Sequence, residues 1–590
     1  MRRPQLQRRG PTCCQRRGLA AGSGPKPAMR FASAAAIADC DITPQNPFMV
    51  VEEILEQLTE QLGGEKPDLL LFFNATSRRA PLDGKDLANL LREAVVADAG
   101  SGPAAILGMS WDCDGRGTGV VGGPPTADGC EEVHEIPAVT VLGAVLPDVR
   151  ILPFVAEPDH DGLPILHSGS WPELAMLPEA EAAHVLLFSC CSSTQGAEPY
   201  SARHSLPQPI LQYFDNALPF SAKVGGLVPR GTTAKNPVID IGSQLGEAAG
   251  GLITIDCDDG EHVVSTQGIG GIVLEGNVEV DTIVCQGAAG FGPVYEITKC
   301  KGSYILEMDG QPAAGVIVDQ LRQGRERHAE QVFASETGQA GRGGGGDMAA
   351  WRSPVDEEGY GGEPADTLRI VAGVALDDRA TRDGGTDAHE EQSGLPSMRV
   401  SSEFVVRRIV HVDREAVSGP AVLCLLCRRN RRRLNEWGWG QGWIQLDVAP
   451  ELLREGQRLQ LHAFGRTAAI DEMETQAARL ARVHRAKGVQ PAGALMVSCL
   501  DRGEQLYGEE GVETACEPRE LLSLGFLRRR QVAKPRWLVG RRTLADAWAQ
   551  NGVLVPTAGF FAGSEIGPVG YRSYTHSHVA SLALFRPRAT

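Results

Sequence analysis

Apolar residues recur at two different spacings along the first half of the chain. Residues 54–62 and 87–95 carry leucine and isoleucine at a helical period, whereas 68–73 and 104–109 are continuous apolar runs of strand length. Closely spaced runs of the second kind continue to about residue 308. Strands joined both by helices and by short turns predict mixed β-sheets with helices packed on them.

The second half shows the same mixture of patterns. Residues 403–412 and 459–463 read as strands, and 467–484 reads as a helix whose apolar stripe includes Met473, Ala477 and Leu480. Further strands are predicted at 494–499, 553–561 and 579–585. The predicted fold class is therefore α/β in the mixed α+β sense, built as two halves of mixed sheets packed with helices.

A change of composition separates the two halves. Between 333 and 398, Gly, Asp, Glu and Ser replace the hydrophobic alternation, and only 367–374 keeps the pattern of a short strand. Such a segment buries too little apolar surface to offset the entropy lost on ordering. We therefore predict an N-terminal domain over 29–332, a disordered Gly/Asp-rich insertion over 333–398 and a C-terminal domain over 399–590.

Residues 1–28 differ from the rest of the chain. They are rich in Arg, Ala, Gly and Pro, and the first acidic residue is Asp39. This composition is typical of a transit peptide, which predicts a plastid or another organelle as the location. The alternative is a spurious extension of the gene model, which predicts the cytoplasm.

Composition limits the partners. The chain has 590 residues and a net charge of -17, and no run of about eighteen apolar residues occurs. We do not expect nucleic acid as a partner, because phosphate binding requires clustered Lys and Arg. We do not expect a membrane as a partner, because no apolar run is long enough to span one. The local exception, Arg-Arg-Asn-Arg-Arg-Arg at 428–433, is a solvated loop or a docking patch. The 14 cysteines lack a secretory signal, which favours reduced thiols.

The candidate chemistry lies near the C-terminus. The run Gly-Phe-Phe-Ala-Gly-Ser-Glu-Ile-Gly-Pro-Val-Gly at 559–570 holds one carboxylate, Glu565, among apolar neighbours and glycines. A carboxylate there needs a partner, since burial alone is costly. Arg502 follows Cys499 in another turn, and its planar fork suits a carboxylate. We predict a pocket lined by loops at 499–503 and 563–570, with internal pairing of Arg502 and Glu565 as the alternative.

These motifs resemble the FIST domain family (F-box and intracellular signal transduction). The run at 559–570 resembles the C-terminal signature of the family, and Ser-Cys-Leu-Asp-Arg-Gly at 498–503 resembles its Cys-Asn-Gly-Arg-Gly strand end. In the first half, Val-Gly-Gly-Leu at 224–227 and Cys-Gln-Gly at 285–287 match further elements. The resemblance implies a sensory module that binds a small ligand, for which amino-acid-like compounds have been proposed.

The resemblance and the residues together predict which residues contact the small-molecule ligand. The candidate ligand-binding residues are Ser110, Gln286, Gly287, Cys499, Arg502, Gly503, Glu565, Gly567 and His576. Ser110 enters because the loop after it reads as the N-terminal counterpart of the turn after Cys499. Glu565 would bind the ammonium group of the ligand and Arg502 its carboxylate. No cofactor is expected.

Several other functions stay open at this stage. Cys499 as a nucleophile with His576 as its base would make the chain a cysteine-dependent enzyme, although enzymatic activity is the less favoured interpretation. His576 and His578 lie two residues apart, but further metal ligands are not evident, so no metal site is expected. A protein partner or a ubiquitin-ligase adaptor role is a further alternative, although residues 1–60 lack an F-box-like pattern.

Overall fold

Over the residues that it describes, the computed structural model shows four β-sheets and five helices, the last being the single turn Glu504–Tyr507, so the predicted mixed α+β class is confirmed. The structure describes residues 28–37, 47–76, 84–96, 105–112, 119–123, 131–134, 136–158, 164–166, 183–189, 207–227, 251–256, 262–265, 269–320, 369–375, 399–400, 404–412, 442–446, 448, 452–507, 512–513, 555–570 and 572–588. The candidate transit peptide and the basic run at 428–433 lie outside these ranges.

Sheet I belongs to the first half of the chain. Helices α1 (Pro47–Leu62) and α2 (Gly84–Val96) cover one of its faces, where their apolar stripes meet Leu70 and Phe72. In spatial order its strands are β1 (Arg30–Ile37), β6 (Ala138–Val145), β2 (Leu69–Thr76), β3 (Ala105–Asp112), β11 (Gly251–Asp256) and β12 (His262–Ser265).

Sheet II joins strands from both ends of the chain. Helix α3 (Pro207–Ala217) packs on its outer face through Ile210, Leu211 and Phe214. In spatial order its strands are β26 (Arg572–His576), β25 (Ser564–Val569), β10 (Lys223–Leu227), β9 (Ala183–Ser189), β13 (Ile269–Gly276), β7 (Val149–Pro158) and β8 (Pro164–Leu166).

Sheet III carries the long helix α4 (Arg466–Lys487) on its outer face. The helix ends at Gly488, whose left-handed φ of 64° forms the C-terminal cap, and His484, Arg485 and Lys487 lie in its last turn. In spatial order the strands are β19 (Arg399–Val400), β14 (Glu279–Cys285), β27 (Ala580–Arg586), β23 (Gly493–Cys499), β24 (Thr557–Ala562), β4 (Gly119–Gly122) and β5 (Glu131–His134).

The fourth sheet closes into a barrel, because β15 pairs with β16 as well as with β22. Its strands are β15 (Ala288–Lys301), β22 (Arg458–Phe464), β18 (Arg369–Ala375), β20 (Phe404–Val412), β21 (Ile444–Leu446) and β16 (Tyr304–Met308), with the short β17 (Gln311–Pro312) appended. Strand β18 confirms the short strand expected near 367–374. The boundaries at 332 and 399 stay predictions.

One apolar core is shared by sheets I, II and III. Alternate residues of each strand point into it, including Leu71 of β2, Leu186 of β9 and Val497 of β23. Helices α1 to α4 cover the opposite faces of these sheets. The three sheets therefore form one unit, with their helices outside.

Sheets I and III repeat the same arrangement. β1, β6, β2 and β3 have the order and the relative directions of β14, β27, β23 and β24. The helices before β2 and β23 also end alike. Gly63 and Gly488, just beyond the two helix ends, both have φ of 64°. Each lies six residues before the first residue that pairs with the parallel neighbour strand, which is Leu69 in β2 and Ala494 in β23. Over these four strands and the preceding helix end, sheets I and III are thus structural duplicates.

Two hairpins exchange sheets: each pairs with a sheet other than the one whose strands flank it in the chain. β4 and β5 lie between β3 and β6 of sheet I in the chain but extend sheet III beside β24. β25 and β26 lie between β24 and β27 of sheet III in the chain but extend sheet II beside β10. The second exchange corrects the expected loop at 563–570: the segment is strand β25, because its backbone pairs on both sides. Glu565 consequently lies on a fixed strand.

We expect Phe560→Ala to lower the free energy of unfolding by about 3 to 5 kcal/mol, because a fully buried aromatic side chain leaves a cavity. Its ring centroid lies 5.1 Å from that of Phe73 in sheet I and 6.2 Å from that of Phe188 in sheet II. Urea unfolding provides the measurement. Phe220→Ala, at a residue that is 47% exposed, is the control and should change stability by no more than about 0.5 kcal/mol. Equal losses for both variants would contradict the shared core.

Candidate functional site

The turn after β23 brings Cys499 and Arg502 into the interior. The N–H of Arg502 donates to the carbonyl of Cys499 at 2.9 Å, and the N–H of Leu500 donates to Ala562 of β24 at 3.0 Å. Gly503 has φ of 58°, and a Cβ there would lie 2.6 Å from Cε1 of His134. Glycine at 503 therefore permits both the turn and the close approach of β5.

Arg502 is fully buried and is held by groups from several segments. Its Nε donates to Glu513 at 2.5 Å and its Nη2 donates to the Tyr507 hydroxyl at 2.8 Å. Nη1 donates to the carbonyls of Cys285 and His578 at 3.4 and 3.3 Å. The carboxylate partner of Arg502 is therefore Glu513, and not Glu565 as the alternative interpretation expected.

Glu513 completes this buried network. It accepts hydrogen bonds from the hydroxyls of Ser498 at 2.8 Å and Tyr507 at 2.6 Å, and its N–H donates to Glu132 of β5 at 3.1 Å. Burial by itself lowers the pKa of Arg502, but the nearby anionic groups, Glu513 foremost, bring the pKa above its usual value. The guanidinium is thus a permanent positive charge in the interior.

Glu565 is buried, and it has no charged partner in the part of the chain that the structure describes. One carboxyl oxygen, Oε2, accepts the N–H of Val579 at 3.3 Å, and the side chain also hydrogen-bonds to Cys499. The other oxygen, Oε1, has no hydrogen-bond partner among the described residues. Burial raises the pKa of Glu565 well above its usual value, and the charge of Arg502 opposes this rise. Burial therefore favours the neutral form of this carboxyl group.

Cys499, Asp501 and His578 form a second cluster beside Glu565. Each offers one ligand atom, and these atoms lie within 4.8 Å of one another. The N–H of His578 donates to Sγ of Cys499 at 3.2 Å, and its Nδ1 lies 3.1 Å from Oδ2 of Asp501. The imidazole stacks on Phe464 with centroids 4.7 Å apart.

His578, and not His576, is the histidine beside Cys499. His576 is the cross-strand neighbour of Glu565, but its Nε2 is 3.0 Å from the carbonyl of Gly567 and is occupied there. Burial lowers the pKa of His576 to about 3, so its ring is neutral. His578 has φ of 66° and lies after the end of β26, so the two histidines do not share one strand face.

Three other predicted contacts serve the fold where the structure places them. The Gln286 side chain is bonded at both ends to β20, donating to Phe404 at 2.7 Å and accepting from Val406 at 2.6 Å. A Cβ at Gly287 would lie 2.8 Å from Nη1 of Arg502, and one at Gly567 would lie 2.8 Å from Oγ of Ser581. Gln286 and Gly287 thus support the Arg502 network from the barrel side.

Ser110 lies in sheet I and accepts a hydrogen bond from Asn74 at 3.1 Å. The duplication shows that Asn74 of β2 corresponds to Cys499 of β23, and that Ser110 corresponds to Ala562. The interpretation of the loop after Ser110 as the counterpart of the Cys499 turn is therefore wrong. The position equivalent to Cys499 lies within β2.

Glu132, His134 and Glu513 also belong to the site, and no pattern in the sequence pointed to them. Both ring nitrogens of the buried His134 lack a hydrogen-bond partner among the described residues, and its ring lies 4.3 Å from that of Phe561. Glu132 and His134 lie on one strand face, but the chain separates them from Arg502 by more than 360 residues. Only the hairpin exchange brings them to the site.

Comparison with known proteins identifies part of the chain. A family model described as FIST N domain matches residues 172–311. The match covers β9 to β16 of the described strands and confirms the resemblance stated from the sequence, with no F-box shown. No curated protein matches the chain. None of the described helices has the length and hydropathy required to cross a membrane.

Arg502→Met should lower the free energy of unfolding by about 3 to 5 kcal/mol, because it leaves the Glu513 carboxylate buried without its cation. Adding Glu513→Gln should recover a large part of that loss. Chemical denaturation of both single variants and the double variant gives the coupling energy. Additive losses would show that the two side chains do not depend on each other.

Glu565→Gln should gain stability over the native chain as the pH rises. Because burial raises the pKa of Glu565, the stability that this carboxyl contributes is complete below its ordinary pKa of 4.5 and is lost as the pH rises through the folded-state pKa. Glutamine does not titrate and removes that loss. Urea unfolding over a pH series measures the difference, with Glu307→Gln on the barrel surface as the control. A difference that is independent of pH would contradict the buried neutral carboxyl.

Proposed function

We propose that this protein, whose residues 172–311 are a FIST N domain, is a sensory module that binds a small, amino-acid-like ligand beside Glu565. FIST domains are associated with sensing in signal transduction. The proposal adds the site and the ligand class. The ligand would carry a hydrogen-bond donor, such as an amine, for the carboxyl group.

The observation that carries the proposal is the unsatisfied oxygen of Glu565. A buried carboxyl oxygen without a partner costs about 1 to 3 kcal/mol, and native structures contain few such groups. Oε1 of Glu565 is one of 16 buried side-chain N and O atoms without a hydrogen-bond partner among the described residues, and this side chain also contacts Cys499, while Oε2 is satisfied. A ligand donor placed against Oε1 would remove that cost, which favours binding.

Arg502 was expected to bind the ligand carboxylate directly, but in this proposal it does not. Four of its five N–H groups are used by Glu513, Tyr507 and two backbone carbonyls. A bidentate clamp on a ligand carboxylate needs two parallel N–H groups. Arg502 instead fixes the turn that carries Cys499, and its charge complements an anionic group of the ligand at longer range.

A thermal-shift screen of amino acids and amines tests ligand binding, because a ligand at a hundred times its Kd adds about 2.7 kcal/mol of stability. For a hit, calorimetric titration should show an affinity about 10- to 100-fold lower for Glu565→Gln, since a hydrogen bond to a charged ligand group is lost or weakened. Glu307→Gln is the matched control on the barrel surface and should bind like the native chain. Equal affinity for both variants would contradict the role of Glu565.

A thiol enzyme is the second candidate, and it is favoured by the position of Cys499, whose Sγ lies within 4.8 Å of a ligand atom of His578 and of Asp501. Here His578 would replace His576 as the base. Such an enzyme requires a thiolate near neutral pH. Iodoacetamide labelling of Cys499 between about pH 5 and 8, read by mass spectrometry, should show reactivity that persists at the acidic end. Reactivity that falls off as for an ordinary thiol would exclude this candidate.

A docking role for 428–443 stays a prediction. Most of that segment lies outside the described residues. Trp443, the last residue of that segment, is buried and packs edge-to-face on Tyr304 with centroids 5.3 Å apart. Trp443 therefore packs onto its own domain.

A further inference from the structure

We propose that Cys499, Asp501 and His578 bind a divalent transition-metal cation of the zinc class, with Glu565 beside the open coordination position. The three side chains reach one point from two turns, one after β23 and one between β26 and β27. Their ligand atoms lie within 4.8 Å of one another. The proposal does not depend on the small ligand, because the metal is measured alone.

The donor set selects the metal class. Thiolate sulfur and imidazole nitrogen suit zinc and similar cations, whereas magnesium and calcium prefer oxygen ligands throughout. A thiolate and a carboxylate also neutralise a divalent charge, while the imidazole binds in its neutral form. The complete site would therefore carry no net charge, which suits its burial.

The geometry is close to what coordination requires. Tetrahedral ligands at zinc distances are separated by about 3.3 to 3.8 Å. The Nδ1 of His578 and Oδ2 of Asp501 are already 3.1 Å apart. The three donors need to move by no more than about 1 Å to close around a cation.

Neighbouring groups already orient the donors. The backbone N–H of His578 donates to Sγ of Cys499 at 3.2 Å, which stabilises a thiolate. Phe464 fixes the imidazole plane by stacking. The backbone N–H of Cys499 donates to Val579 at 2.9 Å, which ties the two turns together. These contacts are the outer shell expected of a metal site.

Glu565 lies beside the cluster and also points to a bound species. Its side chain is fully buried and hydrogen-bonds to Cys499, and its Oε1 lacks a partner among the described residues. An acceptor in that position would bind a water or a ligand held in the fourth coordination position. Three protein ligands with one open position distinguish a functional site from a purely structural one.

The path for the cation lies at Asp501. The Asp501 side chain is 24% exposed, whereas that of His578 is 2% exposed. Cys499 is buried behind them. A cation arriving from solvent therefore meets the carboxylate first, then the imidazole and thiolate.

Titration of the metal-free full chain with Co²⁺ tests the site, because a cobalt–thiolate bond gives a charge-transfer absorption band. We expect Cys499→Ser and His578→Asn each to bind one equivalent of Co²⁺ fewer than the native chain, or to bind that equivalent at least about 100-fold more weakly. Cys300→Ser is the control, since Cys300 lies on the barrel strand β15 and away from the cluster. Native-like stoichiometry and band intensity in Cys499→Ser would overturn the proposal.

A measurement on the native chain avoids any dependence on the folding of a variant. With one equivalent of Zn²⁺ bound, X-ray absorption should show one sulfur ligand at about 2.3 Å and nitrogen or oxygen ligands at about 2.0 to 2.1 Å. A first coordination shell without sulfur, or with two or more sulfurs, would overturn the proposal. Absence of Zn²⁺ binding to the folded native chain would overturn it as well.

Discussion

The contact between Arg502 and Glu513 is the interaction on which the rest of the site depends. It places a permanent positive charge where sheet III, the barrel and the exchanged hairpin β4–β5 meet. A buried charge of this kind is stable only if its hydrogen bonds are satisfied. Glu513, Tyr507 and two backbone carbonyls meet that requirement, and by doing so they fix the turn that carries Cys499.

The shared core explains how the other half of the site is positioned. The chain leaves sheet III after β24 and enters sheet II as β25, which pairs with β10 and β26. Glu565 is therefore held on a strand of sheet II. The opposite exchange brings His134 of β5 against Gly503. The site thus lies where the two halves are interleaved. In sheet I the position equivalent to Cys499 is Asn74 of strand β2, which bonds to Ser110, so of these two equivalent positions one carries the thiol.

Local patterns predicted the elements well where each element has its own period. The helix expected at 467–484 is α4 (Arg466–Lys487), and Met473, Ala477 and Leu480 line its buried face. The strand at 494–499 was predicted equally well. Glycine was misleading at 563–570: it suggested a loop, whereas Gly567 is needed because β25 passes close to Ser581 and Val284.

Long-range pairing is what the sequence did not reveal. Glu565 was identified because a carboxylate among apolar residues is unusual, and that reason holds in the structure. Its neighbours depend on strand order, so Glu513 replaced Glu565 as the partner of Arg502, and His578 replaced His576 beside Cys499. No local pattern distinguishes those alternatives, because the contacts of Arg502 and Cys499 are set by how the strands and turns pair and not by separation along the chain.

The central claim is that the unpartnered oxygen of Glu565 faces a place that a bound species fills. A crystal structure of the full chain, purified without added chelator, measures this directly. The account predicts electron density that belongs to no part of the chain within hydrogen-bond distance of Oε1 and in contact with the cluster of Cys499, Asp501 and His578. A side chain of the protein itself, hydrogen-bonded to Oε1 and filling that place, would contradict it.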